Sequence, residues 1–313
     1  MRLFLIVFIM SLMTTISYAR DQIKIVGSST VYPFSTVVAE RFGKSGNKTP
    51  VIESTGTGGG MKLFCAGIGV NTPDMSNASR KIKPKEVKLC KDNGVTEITQ
   101  VIVGLDGIAF TSSVKGKQYN FTKKHLWEAM SDLGSKPKKW SDIDPSLPDY
   151  KIAILTPPAT SGTRDAWNSL VMKKGCPEEI LKEQGKKACY LLREDGPVIE
   201  VGENDTLIIN KLVGEPSYFG IFGFSYYDNS KDKVQAHLIE DKKISLKSIQ
   251  DGSYPISRPL YFYVKDQHIG VIPGVEEYVK EFTSKRAAGP RGYLLDLGLV
   301  PLKSLKESIS KVE

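Results

Sequence analysis

Three times in this chain a short apolar run leads into a cluster of glycine and small hydroxyl residues, and then into a helical pattern. The clusters are Gly27-Ser28-Ser29-Thr30, with Pro33 opening the helix; Ser54-Thr55-Gly56-Thr57-Gly58-Gly59-Gly60; and Ala159-Thr160-Ser161-Gly162-Thr163-Arg164. Strand–turn–helix units repeated along a chain build a mainly parallel sheet flanked by helices. In an open sheet of that kind the turns gather at the carboxyl ends of the strands, where ligands bind. The chemistry is constrained too. The first N–H groups of a helix have no partner within it and carry partial positive charge. Glycine lets an anion approach the backbone, and Ser and Thr hydroxyls add donors without adding charge. One such turn is an ordinary helix cap. Three in one α/β chain point to an oxyanion site.

The remaining pattern agrees with that class. Residues 23–26, 50–53 and 97–103 read as strands, 34–42, 59–66 and 84–91 as helices, and 74–78 as a short run. A second block carries strands at 107–111, 151–155 and 218–222 and helices at 123–130, 164–173 and 204–212. Extended chain returns over 254–263, and helices are expected at 275–284, 288–297 and 302–311, with Gly298 stopping the second of these. No repeat or low-complexity linker marks a domain boundary.

Composition narrows the function. The chain has 313 residues, 40% of them hydrophobic, enough core for two domains. Arg2, the apolar stretch 3–13 and Ser17-Tyr18-Ala19 form a secretory leader, with cleavage expected after Ala19. The stretch is too short to cross roughly 30 Å of hydrocarbon, so the mature chain is expected to be soluble. Four cysteines, Cys65, Cys90, Cys176 and Cys189, suit an oxidising compartment. Three pairings are open, of which the local ones, Cys65–Cys90 and Cys176–Cys189, are favoured. The cysteines and His125, His237 and His268 have no zinc-site spacing, so no metal is expected. The formal charge of +8 is spread along the chain, without a basic stripe interleaved with aromatics. That argues against nucleic acid and for small anions.

Nucleotide motifs fail on spacing. A dinucleotide fingerprint from Gly56 meets Met61 where glycine is needed, and a Walker motif ending at Gly43-Lys44-Ser45 meets Val38. No Gly-x-Ser-x-Gly elbow is present, and none of the histidines lies in a glycine-rich loop. The expectation is a binding protein without a cofactor, not an enzyme.

The chain resembles a known family at these same loops. Gly27-Ser28-Ser29-Thr30-Val31-Tyr32-Pro33, Gly56-Thr57-Gly58-Gly59-Gly60, Asn77-Ala78-Ser79-Arg80 and Thr160-Ser161-Gly162-Thr163-Arg164 carry the resemblance. Asn204-Asp205, Gly220-Ile221-Phe222-Gly223 and Ser257-Arg258-Pro259-Leu260 follow in order. It is similar to the periplasmic phosphate-binding protein of the high-affinity phosphate ABC transporter, a solute-binding family. That resemblance implies two α/β domains joined by two crossing strands, with the ligand cleft between them. Domain I would take residues 20–104 plus 257–313, and domain II residues 105–256.

The resemblance also implies a site. Thr30 matches a threonine that binds through hydroxyl and amide, with Ser29 before it and Val31 as the next amide. Thr57, followed by Gly58, matches a serine that caps the second helix and touches phosphate. Ser161, Gly162 and Thr163 match the third-loop donors. Two positions depart from the pattern. Arg80 stands where the family has an Asp that accepts the phosphate proton, and Pro157 stands where it has an Arg. Arg80 or Arg164 is therefore expected to supply the positive charge. Asp106 is the candidate for the missing acceptor, with Glu203 the weaker alternative. The implied partners are inorganic phosphate and an ABC permease in the inner membrane. The implied state is a periplasmic monomer. Receptors for sulfate or molybdate, and an exported phosphatase-like relative, are the competing readings.

Overall fold

The computed structural model describes residues 20–159, 161–202, 205–305 and 308–312. The expected leader over 1–19, Thr160, and the candidate acceptor Glu203 with Asn204 lie outside the described residues.

The first alternation runs β1 (Lys24–Gly27), α1 (Tyr32–Lys44), β2 (Val51–Ser54), α2 (Gly56–Phe64), β3 (Met75–Ala78) and α3 (Pro84–Asp92). β1 is parallel to both β2 and β3 and lies between them. Ile25 and Val26, on opposite faces of β1, are both fully buried, so the sheet is covered on each side. α1 turns Phe34, Ser35, Val38, Ala39 and Phe42 inward, the stripe of an amphipathic helix. Phe42 meets Tyr278 of the helix Val275–Phe282 edge-on at 5.7 Å.

The chain then enters β4 (Ile98–Ser113), a strand of 16 residues. Its first part pairs antiparallel with Ser257–Lys265, whose other edge pairs with β3. Its second part, Ile108 to Ser112, pairs antiparallel with Phe219–Gly223. That strand runs parallel to Ile154–Thr156, which in turn runs parallel to Val198–Glu200. β4 thus serves two halves of one curled sheet. The chain returns to the first half through Tyr254, whose hydroxyl donates to the Ile108 carbonyl at 2.9 Å, and Ser257–Lys265. The cores follow the same division. Phe110, Phe121, Trp140 and Phe219 centre one cluster, while Val38, Phe262 and Phe282 belong to another on the first half. The mixed α/β, two-domain architecture is the expected one.

Four local expectations are corrected. The two strands read at 97–103 and 107–111 are one, because Ser257–Lys265 supplies ladder partners to both and to Gly104 and Gly107 between them, with one register shift at Leu260/Tyr261. The helix read at 164–173 starts earlier, as Gly162–Trp167, and passes into a π-helical turn at Asn168–Met172. The helix read at 288–297 is broken. A short helix Lys285–Ala288 ends before Gly289-Pro290, because a residue before proline is pushed out of the helical region, and a 3-10 turn Tyr293–Leu297 follows. The helix read at 302–311 contains instead a strand, Ile309–Lys311, antiparallel to Thr99, Gln100 and Val101 of β4. A free sheet edge decided that segment, not its own periodicity.

The cysteines form the two local pairs, Cys65–Cys90 and Cys176–Cys189. The first ties the end of α2 to α3.

His237 is fully buried against the rings of Phe110, Phe121 and Phe219. Its Nε2 faces Ser112 Oγ at 3.0 Å, and its Nδ1 accepts from the Tyr119 amide. Burial pulls its pKa down to about 3. The unfolded imidazole titrates near about 6.5, so the unfolded chain binds the extra proton first. The stability that neutral His237 contributes is complete above about pH 6.5. It is lost as pH falls toward 3, at up to about 1.4 kcal/mol per pH unit. His237→Gln is expected to flatten the dependence of the urea midpoint on pH in that window. An unchanged slope would mean another group carries it.

Candidate functional site

The three loops stand where strand–helix turns belong, and glycines set how closely they pack. Gly27 has φ +124°, and a Cβ there would lie 2.1 Å from the Asn77 carbonyl oxygen. A Cβ on Gly60 would lie 2.4 Å from Gly27 Cα. These two contacts bring the start of α2 and the end of β3 against the first loop.

In the first loop Thr30 is buried, and Val31 occupies the N-cap of α1 without a side-chain cap. The Thr30 hydroxyl donates to the Gly162 carbonyl at 3.2 Å and accepts from Arg258 Nη2 at 3.0 Å. In the second loop the N-cap of α2 is Thr55, and Thr57 lies inside the first turn. The capping role expected for Thr57 is therefore corrected. Its Oγ1 instead accepts from the Ser79 amide at 3.1 Å and lies 3.1 Å from Ser79 Oγ. In the third loop Ser161 is the N-cap, its Oγ accepting from the Thr163 amide at 3.2 Å. Gly162 lies against the first loop so closely that a Cβ would come within 2.5 Å of Thr30 Cα. The two halves of the molecule thus touch directly at Thr30 and Gly162.

The expected cations behave differently from the expectation. Arg80 forms a two-pronged pair with Glu86, at 2.8 and 2.7 Å, at the start of α3. Arg164 is buried, and its Nη1 donates to Thr156 Oγ1 at 3.2 Å and to the Pro157 carbonyl at 3.0 Å, bracing its own loop. The guanidinium that does stand at the junction of the halves is Arg258. It is 9% exposed and reaches Thr30 Oγ1, Ser169 Oγ at 3.2 Å, and Asp106 Oδ2 at 3.6 Å from Nε. Asp165 lies 4.0 Å from Nη2. Arg258 and Asp106 are direct partners on the two passing strands. Ser169 belongs to the π-helical turn, which re-aims side chains relative to a regular helix.

Asp106 is largely buried, and that burial pushes its carboxyl above the usual range, with Arg258 opposing the shift. A carboxylate of raised pKa is a stronger proton acceptor. Arg258 was missed as a site residue because nothing in local spacing separates it from a surface arginine. The signal available was the quoted Ser257-Arg258-Pro259-Leu260 segment on a predicted crossing strand.

Two cavities lie at this junction, one beside Arg258 and one beside its partners Thr30 and Asp106. One of about 220 Å³ is lined by Thr30, Asp106, Ser161, Gly162 and Thr163, together with Asp205 and Tyr226. The other, of about 580 Å³, is lined by Thr57, Gly58, Ser79, Arg80 and Arg258 itself. Ser29, Val31 and Arg164 line neither. Of the histidines, His268 Nδ1 meets the buried Asp74 at 2.5 Å, and His125 closes the capping box of the helix Lys123–Met130. Both are structural.

A two-domain α/β frame whose first and third loops meet, beside a buried guanidinium bonded to Thr30 from one half and Ser169 from the other, suits a binding protein for a small anion. A family model described as a PBP superfamily domain matches residues 14–286, and the chain belongs to that superfamily. It is 29% identical over 301 residues to the phosphate-binding protein PstS of Staphylococcus saprophyticus, covering 93% of this chain and 84% of the relative. It is 30% identical over 249 residues to the protein SphX of Synechococcus elongatus, covering 77% of this chain and 67% of that one. The crystal structure of a possible phosphate-binding protein from Planctomyces limnophilus superposes with a TM-score of 0.74 at 28% identity, covering 91% of this chain and 95% of the other. An ABC-type phosphate transport receptor from Vibrio cholerae shares the fold, with a TM-score of 0.64 at 18% identity over 89% of this chain and 99% of the other. No described helix is long and apolar enough to cross a membrane.

Proposed function

We propose that this chain is an extracytoplasmic receptor that binds inorganic phosphate between its two domains and delivers it to an ABC permease, breaking no bond. The observation that carries the reading is the group Arg258, Thr30 and Asp106: a buried guanidinium, a hydroxyl and a carboxyl at the junction of the halves. The cation and hydroxyl suit an oxyanion. The carboxyl separates phosphate from sulfate, because phosphate near neutral pH keeps a proton to donate and sulfate has none. The relatives named for phosphate binding support the same ligand.

In this reading Thr30, Ser161, Gly162 and Thr163 contribute hydroxyl and amide donors, with Ser29 and Val31 shaping the first loop. Thr57 and Gly58 close the far side, and Arg258 takes the place expected for Arg80 or Arg164. The domains divide at the two passages, 20–104 plus 257–313 against 105–256. Closure brings Gly162 onto Thr30 and excludes water from the guanidinium.

Calorimetry is expected to show 1:1 phosphate binding far tighter than sulfate binding. Asp106→Asn, which replaces the acceptor by an amide, is expected to reduce the preference for phosphate by about tenfold to a hundredfold. Unchanged discrimination would remove Asp106 from the acceptor role. Equal affinity of the unaltered protein for the two anions would defeat the phosphate assignment.

A further inference from the structure

The cavity beyond Arg258 has more room and more charge than one phosphate group calls for. It measures about 580 Å³, against about 220 Å³ for the cavity around Thr30 and Asp106. Lys81 and Lys83, from the turn before α3, line it on one wall, and Lys173 and Lys186 line it from the other half of the molecule. All four are exposed, and none pairs with a carboxylate among the described residues. The arginines of the same cavity are engaged, Arg80 by Glu86 and Arg258 by its neighbours. Asp165 is the one acidic side chain in the lining.

The lysines act on one another across the gap. Lys83 is held below the usual lysine range, first by Arg80 and then by burial, with Glu86 opposing the shift and Lys186 adding a smaller push from across the gap. Like charges on opposite walls raise the local potential, which an anion between them would relieve. Both walls are also braced. Cys65–Cys90 ties the C-terminal end of α2, whose first turn carries Thr57 and Gly58, to the last turn of α3, the helix that Lys83 precedes. Cys176–Cys189 closes the loop that presents Lys186.

We propose that this cavity is a second anion subsite and that the cleft accepts condensed phosphates such as pyrophosphate or tripolyphosphate. One terminal phosphoryl group lies at Arg258 and Thr30, and the rest of the chain lies among Lys83, Lys173 and Lys186. Unpaired lysines on both walls favour a tail that is itself anionic over the neutral tail of a phosphate monoester. The placement of the terminal group rests on the phosphate reading above.

The test is competition calorimetry on the purified protein at fixed salt without divalent cations. The probes are inorganic phosphate, tripolyphosphate and glycerol 3-phosphate. Tripolyphosphate is expected to bind 1:1 and to displace phosphate. The double variant Lys83→Gln/Lys186→Gln is expected to lose about a hundredfold in tripolyphosphate affinity while phosphate affinity stays within about threefold. Thr30→Val is expected to weaken both anions.

Phosphate binding that tripolyphosphate does not displace would overturn the inference and leave the phosphate reading standing. So would tripolyphosphate binding that Thr30→Val leaves intact, which would be diffuse attraction to lysines. Glycerol 3-phosphate binding as tightly as tripolyphosphate would overturn the anionic-tail assignment. Binding of neither phosphate nor tripolyphosphate would remove the phosphate reading itself, and the inference with it.

Discussion

Replacing Arg258 with methionine is expected to lower phosphate affinity by about a thousandfold, the largest effect of any single substitution in the site. The side chain is 9% exposed and bonds Thr30 from one half of the molecule and Ser169 from the other. Removing a charged, largely desolvated hydrogen-bonding partner costs about 2 to 5 kcal/mol, which spans that figure. A second cost falls on the fold. Methionine leaves Asp106 with its own burial and no guanidinium beside it, so the free protein should unfold at lower urea. The double variant Arg258→Met/Asp106→Asn separates the two effects. It is expected to recover most of the urea midpoint and none of the phosphate affinity. Arg258→Lys should recover little, because an ammonium cannot reproduce the fork that reaches both hydroxyls. Phosphate binding by Arg258→Met within tenfold of the unaltered protein would show that the positive charge comes from elsewhere.

Gly162→Ala should lower affinity by about tenfold to a hundredfold through contact alone, given the roughly 1 to 3 kcal/mol that overpacking costs. A Cβ at this position would lie 2.5 Å from Thr30 Cα and 3.0 Å from its nitrogen. Both are backbone atoms, so the loops must separate to admit it. Gly162 opens the helix Gly162–Trp167 with Ser161 as its cap, and alanine is the better helix former. The local structure therefore gains slightly while the approach of the two halves is lost. Thermal stability without ligand should change little, phosphate binding should weaken, and small-angle scattering with phosphate should report a larger radius of gyration. Unaltered affinity would mean that binding does not need Thr30 and Gly162 in contact.

The difference between these two residues illustrates what the chain discloses by itself. Gly162 stands inside a Ser-Gly-Thr cluster after an apolar run, and the chemistry of a helix N-terminus marks it from the sequence alone. Arg258 stands in no such cluster. It becomes a site residue because strand Ser257–Lys265 pairs with β4 in a register that sets Arg258 opposite Asp106, and because the π-helical turn brings Ser169 to it. Arg80 and Arg164 belong to the glycine- and hydroxyl-rich segments quoted from the sequence, yet Glu86 holds the first, and the Thr156 hydroxyl and Pro157 carbonyl hold the second. Proximity along the chain says little about which cation remains available, since that depends on partners supplied from distant segments.

The same division holds for the secondary structure. α1 and the helix Val275–Phe282 were legible because their apolar residues recur at helical spacing. Ile309–Lys311 was not, because its pairing with Thr99–Val101 depends on where β4 presents an edge. What the sequence alone determined is the kind of protein and the kind of chemistry: strands and helices in alternation, and three loops of amides and hydroxyls suited to an oxyanion. Backbone periodicity and helix-end electrostatics are local, so a local reading reaches them. The tertiary structure decided which guanidinium meets Thr30, which carboxyl faces it, and that the loops line two cavities, one beside Arg258 and one beside Thr30 and Asp106. Those depend on strand register and burial, which arise only when distant segments pack.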